Sequence, residues 1–304
     1  MMQQSNSLLP SDYITWLKSR GTLVFARGDW SWMLYQRALI PATIAPCYLS
    51  LLPPDAQDLL DASDALMLRY SSDPCEQETE WWYVVCDRYH PQTFKSKTRQ
   101  NISKGGRECD VVRVAPEWLA DRGYSCYLGG HGRHQGAVPM TEDEFQKTVS
   151  ACIGGPIEFW AVIVQQQLAC FLKCTYEGNF VNTTWGKYDP AFFKHKPVDA
   201  LINRLGEHYV RDQGRILVNG NRSAFHDTRM QGFLLEHGFR RQFCRLNLIY
   251  RNWLGVAIRG IYPARRILRR LSKTGTLGAM SALLWQEQIR RSCWSIAISR
   301  NRLS

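Results

Sequence analysis

At 304 residues, with 45% hydrophobic and 21% charged residues, the chain is long enough to bury a sizeable core, and its composition excludes a disordered protein. Its formal charge of +11 is unevenly placed: from Arg251 onward eleven of the 38 Lys and Arg residues stand against one of the 27 acids, Glu287, so that segment alone carries +10. The pattern is a neutral body with a cationic C-terminal arm. No apolar run reaches the roughly 18 residues that cross a bilayer, and the first residues (MMQQSNSLLPSDY) have neither the basic start nor the apolar core of a signal peptide. A cytoplasmic protein is therefore expected, with membrane contact only at its surface.

Residues 10–20 can start a short helix, and Leu23 to Phe25 and Trp30 to Ala45 have strand-like aromatic and β-branched content. Asp55 to Tyr70 is predicted helical, with Leu59, Leu60, Leu66 and Met67 as its buried face and acids near its start. Trp81 to Cys86 (WWYVVC) reads as a buried strand, Ser96 to Lys104 as a helix stopped by Gly105-Gly106, and Cys109 to Val114 as a further strand. Pro116 to Arg122 is a short helix ending at Gly123, and Thr141 with Glu144 has the spacing of a capping box for a helix to Cys152. Between these two helices the glycine-rich stretch 129–139 reads as a loop, beside which two lobes would leave a cleft.

From Pro156 to Tyr250 the pattern is one unbroken alternating unit. Glu158 to Gln165 and Leu168 to Tyr176 are a hairpin broken at Gln166-Gln167, and Asn179 to Trp185 follows as a third strand after the turn Glu177-Gly178. Pro197 to Arg211 is a helix with Val198, Leu201, Ile202, Leu205 and Tyr209 at 3.6-residue spacing. Arg215 to Asn219 is a short strand, residues 226–237 are a helix stopped by Gly238, and Arg240 to Tyr250 is a single final strand. Strands joined by helical crossovers predict an α/β fold with a mixed, partly parallel sheet.

Two local patterns within this order, Met230 to Phe239 (MQGFLLEHGF) and Phe94 to Gly105 (FKSKTRQNISKG), resemble the FemAB-like branch of the GNAT acyltransferase superfamily. The resemblance implies two tandem GNAT-type lobes, at 1–140 and 141–250, followed by the arm at 251–304. It also implies transfer of an acyl group from acyl-coenzyme A to an amine on a sugar, lipid-linked or amino-acid acceptor, with aminoacyl-tRNA as the alternative donor. A non-catalytic membrane- or nucleic-acid-binding protein on the same fold is the third reading.

The sequence departs from the GNAT pattern where chemistry is expected. The segment that usually carries glycines for the donor pyrophosphate is Lys187 to Pro197 (KYDPAFFKHKP), without glycine. It offers instead Lys194, His195 and Lys196 before a helix N-terminus, where free N–H groups favour an anion; a solvated basic turn is the plain alternative. The tyrosine that often serves as acid near the Gly-Phe pair is replaced by Leu234. His226 and Asp227 then become candidates for proton transfer, although Asp227 or Ser223 can equally cap the helix. Glu158 and Glu177 flank the core strands as candidate bases. Asn221 and Arg222, at the carboxyl end of a strand, are candidates for substrate contact, against a simple Asn-Gly turn. Lys97 and Arg99 lie on a basic helix facing either an anionic substrate or water.

The ten cysteines include no Cys-x-x-Cys pair and read as buried reduced thiols, with no metal site expected. In the arm, Leu254 to Leu271 is a basic amphipathic segment split at Pro263, and Thr276 to Ile298 is a second helical stretch. Its composition fits an anionic lipid surface or a docked helix better than nucleic acid, since aromatic residues for base stacking are sparse among the arginines.

Overall fold

The computed structural model describes residues 12–131, 138–222, 229–271 and 275–300. Its first part runs α1 (Asp12–Ser19), β1 (Val24–Arg27), β2 (Trp30–Tyr35), β3 (Ala38–Pro41), α2 (Pro53–Asp61) and β4 (Met67–Ser72). Next come β5 (Trp82–Cys86), α3 (Ser96–Glu108), β6 (Asp110–Val114), α4 (Pro116–Arg122), α5 (Tyr124–His131) and α6 (Glu142–Ser150). The alternating unit supplies β7 (Ile157–Val164), β8 (Gln167–Glu177), β9 (Phe180–Tyr188), α7 (Pro197–Leu205), β10 (Ile216–Asn221), α8 (Arg229–Glu236), β11 (Arg240–Phe243) and β12 (Arg245–Tyr250). The arm is α9 (Asn252–Ile261), α10 (Arg265–Leu271) and α11 (Gly275–Arg300).

Two mixed sheets result, one of five strands in the order β1-β2-β3-β4-β12 and one of seven in the order β11-β5-β10-β9-β8-β7-β6. Both draw strands from either side of residue 140, where the sequence suggests the division between lobes. The larger sheet buries Val162, Val181 and Leu217 against Leu201 and Leu205 of α7 and Leu234 of α8. Its other face packs Phe159 and Phe171 on α4 to α6 through Phe145, and Val85 and Val218 on α11 through Ile289.

Three departures from the sequence reading have local causes. The helix expected over Asp55 to Tyr70 stops at Asp61, because Ser63 Oγ turns back to the Leu59 carbonyl and Met67 to Tyr70 enter the sheet as part of β4. Helix α3 does not stop at Gly105-Gly106 but runs through to Glu108. Gly105 is needed for packing instead: a Cβ there would lie 2.7 Å from the Lys196 carbonyl oxygen and 2.9 Å from Ala200 Cβ, so only glycine lets α3 approach α7 this closely. The single strand expected over Arg240 to Tyr250 is two, since β11 pairs with β5 and β12 pairs with β4. The switch between sheets falls at buried Cys244, whose N–H donates to Trp81 O and whose carbonyl accepts from Thr79 Oγ1. The capping box at Thr141 and Glu144 is present as read.

Four arginines of the arm are engaged by other residues of the chain. Arg251 donates to the Leu60 carbonyl in the last turn of α2, a group a helix leaves without an intrahelical partner, and to the Ser63 and Ala65 carbonyls just beyond it. Arg290 and Arg291 both bond the buried carboxylate of Glu287, which also accepts from Tyr250. Burial by itself raises that carboxyl, but the two guanidiniums outweigh it and hold it below the usual range. Tyr262 lies between Arg265 and Arg291, at 4.2 and 3.8 Å from its ring centre.

Candidate functional site

Strands β9 and β10 are parallel neighbours only from Phe180–Ile216 to Asn182–Val218. Each then carries an extra residue against its other neighbour. On β9, Thr183 and Thr184 stand opposite Cys174, between the pairs Asn182–Thr175 and Trp185–Lys173. On β10, Asn219 and Gly220 stand opposite Val84, between the pairs Val218–Val85 and Asn221–Tyr83. Gly220 has φ +68°, a left-handed conformation that a glycine adopts without strain. A bulge bends its strand, and two bulges side by side part these strands into a fork. Asn219 Nδ2 donates to Thr183 O, and Thr183 Oγ1 donates to Val218 O, which ties the root of the fork.

A cavity opens on each face of the fork. On the helical face, about 260 Å³ lies between Thr183, Lys187 and Asn219 of the strands, Val198 and Ile202 of α7, and Leu234 of α8. Gly186 lines it too, and a side chain there would collide with the Phe171 carbonyl oxygen and Leu172, each 2.6 Å from an added Cβ. Burial lowers the pKa of Lys187, whose Nζ stands 5.8 Å from the centre of the Tyr127 ring. The helical walls are held together by a buried pair: His237 Nδ1 donates to Phe233 O, and its Nε2 lies 3.2 Å from Asp199 Oδ1 of α7.

On the opposite face, a cleft of about 330 Å³ separates the sheets, lined by Tyr13, Arg69, Tyr70, Tyr83, Asn182 and Asn221 among others. Burial lowers the Arg69 pKa, and its Nη1 donates to Gln286 Oε1 of α11 at 3.3 Å. Asn182 Oδ1 is buried and accepts no hydrogen bond from the described residues. Such an orphaned acceptor in a cleft wall is unusual in a folded interior and fits a donor group arriving from outside the chain. Consecutive residues at the fork thus address different spaces: Asn182, Gly220 and Asn221 the cleft, Thr183 and Asn219 the cavity.

The residues singled out from sequence divide accordingly. Asn221 lines the cleft, as a substrate contact should, although Asn219-Gly220 is a bulge within β10 and not a turn. Arg222 is committed to the scaffold, stacked 4.9 Å from the Trp82 ring centre and 5.5 Å from that of Trp285, with Nη1 donating to Glu80 O. Lys194 and Lys196 do precede α7, and Lys196 at φ +60° is its N-cap, but His195 Nδ1 is 2.8 Å from Glu108 Oε2. Glu158 lies away from the fork: Oε2 accepts from Tyr209 OH and Oε1 pairs with Arg113. Glu177 ties the sheets together by accepting from Thr43 Oγ1 and Ile44 N. Lys97 and Arg99 are exposed and line neither space, and Arg99 Nη1 bonds the Phe94 carbonyl before its own helix. His226 and Asp227 lie outside the described residues. Sequence reading missed Arg69, Asn182, Thr183, Lys187 and Asn219, and only the Asn-Gly pair inside a strand-like run signalled the bulge.

A solved structure of FemX superposes with a TM-score of 0.56, covering 81% of this chain and 92% of that one at 8% identity. The fold is that of FemX. L-PGS from Bacillus licheniformis is similar at a TM-score of 0.49 and 12% identity, over 86% of this chain and 97% of that one. A tandem GNAT protein from the clavulanic acid biosynthesis pathway is similar at 0.43 and 10%, over 73% and 78%. No protein-family model matches the sequence, and neither does any curated protein. Within this fold, the fork is where the two bulged strands give one wall to both spaces.

Proposed function

We propose that the protein is an N-acyltransferase that binds an acyl donor in the cavity and an amine acceptor in the cleft, and joins them through the fork. The observation that carries this reading is the double bulge, because it gives two separate spaces a common wall at Asn182, Thr183 and Asn219. Beyond Asn182 the edge of β9 toward β10 has no strand neighbour, so its main-chain N–H groups are placed to polarise a carbonyl lying in the gap. The amine nitrogen bonds the carbonyl carbon, the carbon–sulfur bond of the thioester breaks, and the proton lost by the amine passes through water to the leaving thiolate, giving an amide and a thiol. Asn182 Oδ1 would accept an N–H of that amine and orient it, and Arg69 suits an acceptor that carries a carboxylate or phosphate.

Acyl-coenzyme A is the donor of first choice. Lys194 and Lys196, before the helix whose Val198 lines the cavity, would hold the donor's phosphates. Thermal unfolding with acetyl-coenzyme A and longer acyl esters tests this, since a ligand of the folded state raises the midpoint. An upward shift that grows with one chain length supports the reading, whereas no shift with any ester, joined by a shift with aminoacyl-tRNA, replaces the donor. With a responsive donor in hand, Asn182→Ala should lower turnover about tenfold or more while the donor-induced shift persists.

A further inference from the structure

Helices α9 and α10 present a surface that the transfer reaction does not use. On α9, Leu254 and Ile258 are buried against Leu284 of α11, together with Leu66 and Ile261. On the far side of the same helix, Trp253 and Val256 are 62% and 63% exposed, and Gly260 continues their line at helical spacing. On α10, Ile267 is also 63% exposed. Large apolar side chains so exposed on a helix already packed by its other face mark a surface that meets something. Two exposed arginines, Arg259 and Arg266, flank this line, whereas Arg251 bonds carbonyls at and beyond the end of α2, Arg290 and Arg291 bond Glu287, and Arg265 lies over Tyr262. The segment is rigidly placed, because Arg251 at the start of α9 is bound to three carbonyls at and just beyond the end of α2.

We infer that α9 and α10 form a docking surface for an anionic lipid bilayer, with Trp253, Val256 and Ile267 entering the interface and Arg259 and Arg266 meeting the headgroups. Charge complementarity selects this occupant. A segment of +10 attracts an anionic surface and opposes pairing with a second copy of itself. The exposed line holds a single aromatic, Trp253, where a single-stranded nucleic acid needs a series of stacking platforms. Among the described residues no helix is long and apolar enough to cross a membrane, so the contact is one of lying on the surface.

Co-sedimentation of the full chain with phosphatidylcholine vesicles, with and without phosphatidylglycerol, tests the inference. Binding is expected only to the phosphatidylglycerol vesicles and should weaken with salt. The pair Trp253→Ser and Val256→Ser should reduce it roughly tenfold or more, with the unfolding midpoint unchanged because both side chains are exposed. Arg259→Gln and Arg266→Gln should each reduce it roughly fivefold. Failure to bind anionic vesicles overturns the inference, as does binding indifferent to the Trp253 and Val256 pair. It is equally overturned if that pair instead converts a dimer to a monomer, or if the two arginine variants lose binding to bulk tRNA while vesicle binding persists.

Discussion

The two ends of the β9–β10 pair are built on opposite terms. Where the strands are joined, the polar groups on the helical face close upon one another: Trp160 Nε1 donates to Tyr209 OH, which bonds Tyr176 OH at 2.7 Å and Glu158 Oε2 at 2.7 Å. Burial raises the pKa of both tyrosines, so they stay neutral and serve as hydrogen-bonding struts. Where the strands part, the same sheet leaves Asn182 Oδ1 without a partner among the described residues and opens space on both faces. A buried polar cluster that satisfies itself is scaffold; one that keeps spare valence beside a cavity is a place for a ligand.

Mutations at each end should separate these roles. Gly186→Val has the largest expected effect: its side chain must displace the Phe171 carbonyl or Leu172, so urea unfolding should show a loss of about 3 kcal/mol, and the donor-induced thermal shift should vanish with it. Tyr209→Phe at the joined end removes the acceptor of the buried Trp160 N–H and should lower stability by about 2 kcal/mol while the donor shift survives. A lost donor shift in that variant would erase the distinction between the ends. The smallest effect belongs to pH. Burial lowers the Lys187 pKa, so its ammonium is lost earlier than an ordinary lysine's as pH rises. Its Nζ faces the Tyr127 ring of α5 and not the cavity, so calorimetric titration of a phosphate-bearing donor should be unchanged by that loss and by Lys187→Gln.

The order of strands and helices was legible because hydrophobic periodicity and punctuation by glycine and proline are local properties. Leu201, Ile202 and Leu205 declare one face of a helix wherever they occur, and Thr141 with Glu144 declare its start. The fork was not legible, since a bulge depends on what lies opposite: Thr183 and Asn219 are extra residues only relative to Cys174 and Val84 on neighbouring strands. The same holds for charge. Glu158 and Arg222 sit at strand ends in the sequence, as candidate catalytic or binding groups do, but pairing with Tyr209 and Arg113, or stacking on Trp82 and Trp285, commits them to the scaffold. Arg69 was overlooked because its stretch read as a helix.

The change of sheet at Cys244 bears on how the chain reaches its native state. The small sheet is completed only when β12 lies along β4, pairing Asn247 with Tyr70, and the large one only when β11 lies along β5. Each pairing closes a loop of more than half the chain, the slow kind of contact in folding. A ribosome must therefore deliver residues 240–250 before either sheet has its last edge, so no single cut yields two autonomous halves. Limited proteolysis of nascent chains would show protection of β4 and β5 arriving late and together.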